Sequence, residues 1–243
     1  MIEHHITLPT ADGAMQTFVV HPEEGGPHPV VLFYMDAPGK REELHTMARR
    51  LAAVGYFVVL PNLYYRQREE FMLKERTEAA MAEMFGLMGS LSRATTECDT
   101  RALLAYVDSN SSADAKRLGA VGYCMSGPFV MWAAAAFPER LACIASIYGA
   151  NMVTEAPDSP HLMPPKVQCE SYFACAEIDK WAPPPHVEKL KAALLAAGHP
   201  HRLEVYPGVE HGFAFPLRAG IYNQAAAERH WERLFSLFKR RLG

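Results

Sequence analysis

The chain has 243 residues and a formal net charge of -3, with acidic and basic residues mixed along its length. This pattern argues against nucleic-acid binding, which gathers Lys and Arg on one face. With no N-terminal signal and no apolar stretch near the ~20 residues that span a bilayer, we expect a cytoplasmic protein that does not engage a membrane.

Apolar runs and helical spacings alternate along the chain. Strands are predicted at 6–8, 15–20, 29–34 and 56–60, with helices over 41–54, 67–90 and 91–107. Further on, strands are predicted at 119–123, 143–148, 167–174 and 202–206, with helices over 125–137, 187–197 and 223–241. This alternation predicts an α/β fold, in which helices cover both faces of a mostly parallel central sheet. The length fits a single domain over residues 1–243.

A candidate nucleophile lies where the strand at 119–123 runs into a helix. In the segment 122–127, small residues flank Cys124 at two positions' distance, as a sharp strand-to-helix turn requires. The helix start would favour a thiolate and would aim the N–H of Met125 at an oxyanion. A lone cysteine is usually a buried small side chain, but this context favours a nucleophile. A second register would make Ser126 the nucleophile, although it places the bulkier Pro128 beside the turn.

A candidate base and its carboxylate follow two later strands. His211 comes after the strand at 202–206, and Asp179 comes just past the strand at 167–174. The chain order of nucleophile, acid and histidine is that of α/β-hydrolases, and the carboxylate would fix the tautomer of the base. Glu177 is the alternative to Asp179. No cluster of three or four ligands indicates a metal, so we expect no metal and no cofactor.

Four segments together resemble one enzyme family. They are 60–64, 122–125, 177–179 and 211–213, and the similarity runs from about Pro29 to near the C-terminus. The chain resembles the dienelactone hydrolases (carboxymethylenebutenolidases) of the α/β-hydrolase superfamily. The combination is much more specific than any one motif.

The resemblance implies a Cys-His-Asp triad, carried here by Cys124, His211 and Asp179. It also implies a carboxylate, usually Glu, that touches the resting thiol and helps to ionise it. Asp36 occupies that position here and is one methylene shorter. The neighbouring N–H of Ala37 would be the second oxyanion donor.

The resemblance also bears on the substrate. Phe215 stands where dienelactone-cleaving members have an arginine for the substrate carboxylate, and Arg218 lies three residues later. We therefore expect an apolar site for a small neutral or weakly anionic ester or lactone. The protein is expected to be a monomer or a homodimer. Its wall is predicted to include Tyr64, Tyr148, Trp181 and Phe213. Two alternatives remain open at this point, a catalytically silent binding module and a serine esterase that uses Ser126.

Overall fold

The structure, a computed structural model, describes residues 1–243 as eight strands and six helices. In chain order they are β1 (Ile2–Thr10), β2 (Gly13–His21), β3 (His28–Tyr34), α1 (Glu42–Ala52), β4 (Phe57–Pro61), α2 (Glu78–Gly89), α3 (Arg93–Asp108), β5 (Ala113–Tyr123), α4 (Gly127–Ala136), β6 (Leu141–Ile147), β7 (Glu170–Ile178), α5 (Pro184–Ala196), β8 (His201–Glu210) and α6 (Gln224–Leu242). None of these helices combines the length and the apolar character that a membrane crossing requires.

The strands form one sheet in the order β1-β2-β4-β3-β5-β6-β7-β8. β3 pairs with β4, β6 with β7, and β7 with β8 in parallel, whereas β1 and β2 are antiparallel additions at one edge. This mostly parallel sheet with its helices confirms the predicted fold class. The chain divides into two compact units, residues 1–118 and 119–243, with the boundary inside β5. The single domain over the whole chain stays a prediction.

Apolar periodicity builds the first unit. β3 and β4 are almost wholly buried, as expected of parallel strands covered on both faces. α1 buries one side through Leu44, Met47 and Leu51, at the spacing of a helix face. It packs on β4 and β2, so the predicted helix and strands of this region are confirmed.

The register of the second unit brings two loops together. β6 is fully buried, and α4 and α6 pack against it. β7 and β8 run in parallel, and Ile178 pairs with Glu210 at their carboxyl ends. Asp179 follows Ile178 and His211 follows Glu210, so these two residues are neighbours.

The helix predicted over 67–90 is wrong in its first half, because α2 begins only at Glu78, behind the capping hydroxyl of Thr77. The preceding segment is held by contacts that are distant in sequence. The side-chain amide of Asn62 donates to the carbonyls of Arg68 and Glu69, and the N–H of Leu73 donates to the carbonyl of Pro38. These bonds outweigh the helical propensity of a Met-, Glu- and Ala-rich stretch.

Candidate active site

Cys124 lies in a strained turn between β5 and α4. Its φ is +55°, in the left-handed region that side chains other than Gly rarely adopt. The chain can turn this sharply only because its neighbours lack bulk. A Cβ at Gly122 would lie 2.2 Å from the carbonyl oxygen of Ser126, and one at Gly127 would lie 2.3 Å from the Cα of Gly149. The steric requirement inferred from the sequence is therefore met at this turn.

The two nucleophile registers differ in their surroundings. The hydroxyl of Ser126 is fully buried, accepts from the N–H of Tyr123 at 2.9 Å and donates to the Tyr123 carbonyl at 3.1 Å. These two bonds close the turn over residues 123–126 on its buried side. Cys124 is partly exposed, and its carbonyl accepts the N–H of Ala150 at 2.8 Å. This arrangement favours Cys124 over Ser126 as the nucleophile.

A fixed carboxylate orients the candidate base. The Nδ1 of His211 lies 2.7 Å from Oδ2 of Asp179. The other oxygen, Oδ1, accepts the backbone N–H groups of Trp181 at 2.8 Å and Ala182 at 3.2 Å. The Asp179 side chain is fully buried, so three donors hold it in one position. A carboxylate held in this way fixes the tautomer and the direction of the imidazole.

Glu177, the alternative carboxylate, serves a different turn. It lies within β7, is exposed, and accepts the N–H of Gly208 at 2.7 Å. The prediction of β7 was short at its carboxyl end, since the strand extends to Ile178 and places Asp179 first in the loop. Of the two acids, Asp179 is the one hydrogen-bonded to His211.

Cys124 and His211 form an electrostatic pair. Burial disfavours the charged imidazole, but the hydrogen bond that His211 donates to Asp179 and the interaction with Cys124 outweigh it and raise the pKa of His211 to about 9. The Nε2 atom of His211 is buried, and Cys124 is the group besides Asp179 whose interaction with the ring favours its charged form. The site favours a protonated imidazole facing sulfur across the pH range in which most enzymes work.

Tyr148 and Phe213, two of the side chains predicted to line the site, pack behind the candidate base. The Tyr148 ring meets the His211 ring edge-on at 5.2 Å, and Phe213 packs on Tyr148 at the same distance. Both Tyr148 and Phe213 are fully buried, whereas Trp181 is half-buried with Lys180 over its ring. Tyr148 also lines a cavity of about 20 Å³. That volume holds about one water molecule and is too small for a substrate.

Asp36, Ala37 and Tyr64 belong to the first unit and lie together there. The Tyr64 hydroxyl donates to the Ala37 carbonyl at 2.8 Å. The fully buried carboxylate of Asp36 is engaged by the guanidinium of Arg41 through both oxygens, with Nη2 3.2 Å from Oδ2. Glu43 accepts from the same guanidinium at 2.6 Å. A charge-paired Asp36 is thus part of a buried ion-pair cluster in its own unit.

Sequence reasoning missed two features of these turns. Arg41 was predicted only as the start of a helix, although a cation five residues after Asp36 could have indicated a pair closing the turn. The backbone donors of Trp181 and Ala182 leave no mark in the sequence, because any residue supplies an N–H. The side chains of Phe215 and Arg218 also meet, with the guanidinium carbon 5.1 Å from the ring centre.

The relatives of the chain belong to one family. Residues 15–242 match the model of the dienelactone hydrolase family. The chain belongs to that family. Proteins named "Putative carboxymethylenebutenolidase" from Methylorubrum extorquens and Synechocystis sp. are 27% and 28% identical to it, and each alignment covers 98% of this chain and 81% or 96% of the relative. A solved structure titled as a "Putative Dienelactone Hydrolase" from Klebsiella pneumoniae has a TM-score of 0.88 at 24% identity and covers 98% of both chains. Family membership confirms the resemblance and the prediction of a hydrolase.

Proposed function

We propose that the protein hydrolyses a small carboxylic ester or lactone through a thioester on Cys124. The observation that carries this proposal is the combination of a left-handed Cys124 at a strand-to-helix turn with a carboxylate-anchored His211 close to its sulfur. The family of the chain supports the same bond type. A silent binding module would not need the strain at Cys124, which costs on the order of 1–3 kcal/mol.

The chemistry proceeds in two halves. The thiolate of Cys124 attacks the carbonyl carbon, and the charge that develops on oxygen is held by backbone N–H groups, with Met125 and Ala37 as the proposed donors. The intermediate collapses to a thioester as the leaving alkoxide takes the proton of His211. Neutral His211 then removes a proton from water, hydroxide attacks the thioester, and the acid departs as the thiolate re-forms.

The raised pKa of His211 suits the first half of this cycle. A base that rests protonated near pH 7 has a proton ready for the leaving alkoxide. Asp36 is proposed, from the family pattern, to assist the thiol. Its carboxylate is paired with the guanidinium of Arg41, with which this role would compete.

The substrate is proposed to be neutral or weakly anionic. At the position where the family pattern places an arginine the chain has the fully buried Phe215, and the Arg218 guanidinium lies 5.1 Å from its ring centre. Kinetics of the wild-type protein on a panel of neutral esters, neutral lactones and dicarboxylic esters measure this preference. A preference of more than tenfold in kcat/KM for the dicarboxylic members would reverse it.

Replacement of the nucleophile tests the mechanism. We expect Cys124→Ala to remove esterase activity on p-nitrophenyl acetate to background, and His211→Gln to lower kcat by about a thousandfold. Cys98→Ala is the matched control, because Cys98 is also partly exposed but lies in the first unit. Fragmentation mass spectrometry of the protein quenched in acid should find the acyl group on the side chain of Cys124 and not on that of Ser126. Full activity in Cys124→Ala would end the proposal.

A further inference from the structure

His230 is a buried histidine that the proposed chemistry does not use. It lies on α6, is fully buried, and its Nε2 is 3.1 Å from the hydroxyl of Tyr123. Tyr123 is the residue immediately before Cys124, 107 positions away from His230 along the chain. A link over this sequence distance ties the last helix to the turn that carries the nucleophile.

The tautomer of His230 follows from its other nitrogen. Nδ1 is bonded to the carbonyl of Ala227, and a carbonyl can only accept, so Nδ1 carries the proton. In a ring that carries its one proton on Nδ1, Nε2 is an acceptor, and the Tyr123 hydroxyl donates to it. The phenol therefore has one fixed direction.

Tyr123 passes this constraint to the nucleophile through its backbone. Its N–H and its carbonyl both bond to the hydroxyl of Ser126, so the two ends of the 123–126 turn are closed on each other. The φ of Cys124 lies inside that closed turn, at +55°. A Tyr123 that shifts or rotates must move the direction of the Cys124 side chain.

Tyr123 also reaches the base. Its ring packs against Tyr148 at 5.9 Å, and Tyr148 meets the His211 ring at 5.2 Å. His230 itself contacts Phe213, the second ring behind Tyr148, at 6.3 Å. The same buried cluster therefore supports both the nucleophile and the base.

We propose that His230 is a positioning residue, which accepts the Tyr123 hydroxyl and thereby holds the sulfur of Cys124 at its working angle to His211. The proposal rests on the proposed function only for its kinetic readout. His230 touches no reacting atom, so its loss should change the rate of the chemical step and leave substrate binding almost unchanged. Displacement of reacting groups by a fraction of an ångström is enough for a large effect on rate.

Four variants test the link. His230→Leu removes the acceptor, Tyr123→Phe removes the donor, the double variant removes both, and His230→Gln returns an acceptor oxygen at similar reach. We expect each single deletion to lower kcat by about tenfold with KM changed less than about twofold. The double variant should be no slower than either single one, since both act through one bond. His230→Gln should recover most of kcat.

A matched control separates positioning from stability. His199 is also a buried histidine in the second unit, and its Nε2 lies 2.7 Å from the hydroxyl of Ser171. His199→Leu should lower the melting temperature about as much as His230→Leu while kcat stays at the wild-type value. Equal kcat in His230→Leu and wild type, measured below both melting temperatures, would overturn the proposal, as would effects that multiply in the double variant.

A second readout does not depend on ester turnover. The rate of Cys124 alkylation by iodoacetamide, followed by mass spectrometry across pH 6–9, should fall about tenfold in His230→Leu and Tyr123→Phe and recover in His230→Gln. A wild type that cleaves no ester but shows this alkylation pattern defeats the proposed function and upholds the role of His230. Turnover that requires Cys124, with alkylation unchanged in the His230 variants, upholds the proposed function and defeats the role of His230.

Discussion

The turns after β3 and β5 both carry residues that the sequence predicts to be catalytic, yet they are held by different forces. The turn after β5 is shaped by volume, because a Cβ at Gly122 or Gly127 would overlap backbone atoms. The turn after β3 is shaped by charge, because Asp36 and Arg41 pair across it. A turn held by volume can keep a strained, partly exposed side chain such as Cys124 in place. In a turn held by charge, the carboxylate is occupied by the ion pair that closes the turn.

The largest effect is expected from filling the turn that volume shapes. Gly122→Ala places a methyl group 2.2 Å from the Ser126 carbonyl oxygen, and backbone cannot yield there as a flexible side chain could. We expect a loss of about 4 kcal/mol in the free energy of unfolding by urea, and esterase activity near background.

Gly86→Ala is the matched control for that substitution. Gly86 lies within α2, is exposed, and has no atom within 4 Å of an added Cβ. The same methyl group should stabilise the protein there by roughly 0.5–1 kcal/mol, because Ala is the better helix former. A folded, active Gly122→Ala protein would contradict the steric account of the nucleophile turn.

This difference also explains how much could be predicted from the sequence. Volume acts locally, so the spacing of Gly122, Cys124 and Ser126 was enough to indicate the sharp strand-to-helix turn at Cys124. The alternating strands likewise predicted the parallel sheet, and the order of Asp179 and His211 predicted their partnership.

The remaining features depend on contacts between distant residues. Asn62 and Pro38 hold the segment at 67–77 out of the predicted helix, and no local pattern indicates this. The bond between Tyr123 and His230 joins two elements that lie far apart in the sequence, where His230 has only the pattern of an ordinary helix residue. Such contacts become visible only when the register of the sheet and the packing of α6 are known.

The second largest effect is expected from a change of pH. It titrates His211, the partner of Cys124, but not Arg41 in the turn after β3. The pKa of His211 is raised from 6.5 to about 9, so the folded protein holds this proton more tightly than the unfolded chain does. The stabilisation is complete below about pH 6.5 and is lost as pH rises through about 9, with an amplitude on the order of 3 kcal/mol. The Arg41 charge persists, because Asp36 and Glu43 raise the pKa of Arg41 further despite burial.

Urea unfolding between pH 6 and 8 measures this slope, below the range in which the unfolded chain ionises the thiols of Cys143, Cys169 and Cys175, whose pKa values are raised by burial in the fold. His211→Gln should flatten it, because the other histidines with shifted pKa values have them lowered and act below pH 6.5; they are His28, His45, His161 and His199. An unchanged slope in His211→Gln would assign the pH dependence to another group.

The smallest of the three effects is expected from removing charge at the turn after β3. Asp36→Asn keeps the shape of the side chain but leaves Arg41, only 11% exposed, with Glu43 as its remaining partner in the pair cluster. We expect a loss of about 2 kcal/mol in the free energy of unfolding and a fall in kcat of less than about tenfold. The double variant Asp36→Asn/Arg41→Met should not regain stability, because it also takes the guanidinium away from the Glu43 carboxylate, which is only 7% exposed.

The opposite result at Asp36 would join the two turns in one mechanism. If kcat in Asp36→Asn fell as far as in His211→Gln while the free energy of unfolding stayed at the wild-type value, the carboxylate would be acting on the thiol and not on Arg41. The rate of Cys124 alkylation by iodoacetamide distinguishes the two roles, since a carboxylate that only pairs with Arg41 should leave this rate unchanged in Asp36→Asn. A turn held by charge would then contribute to the chemistry through the same group that closes it, and Arg41 would set how much of that charge is available.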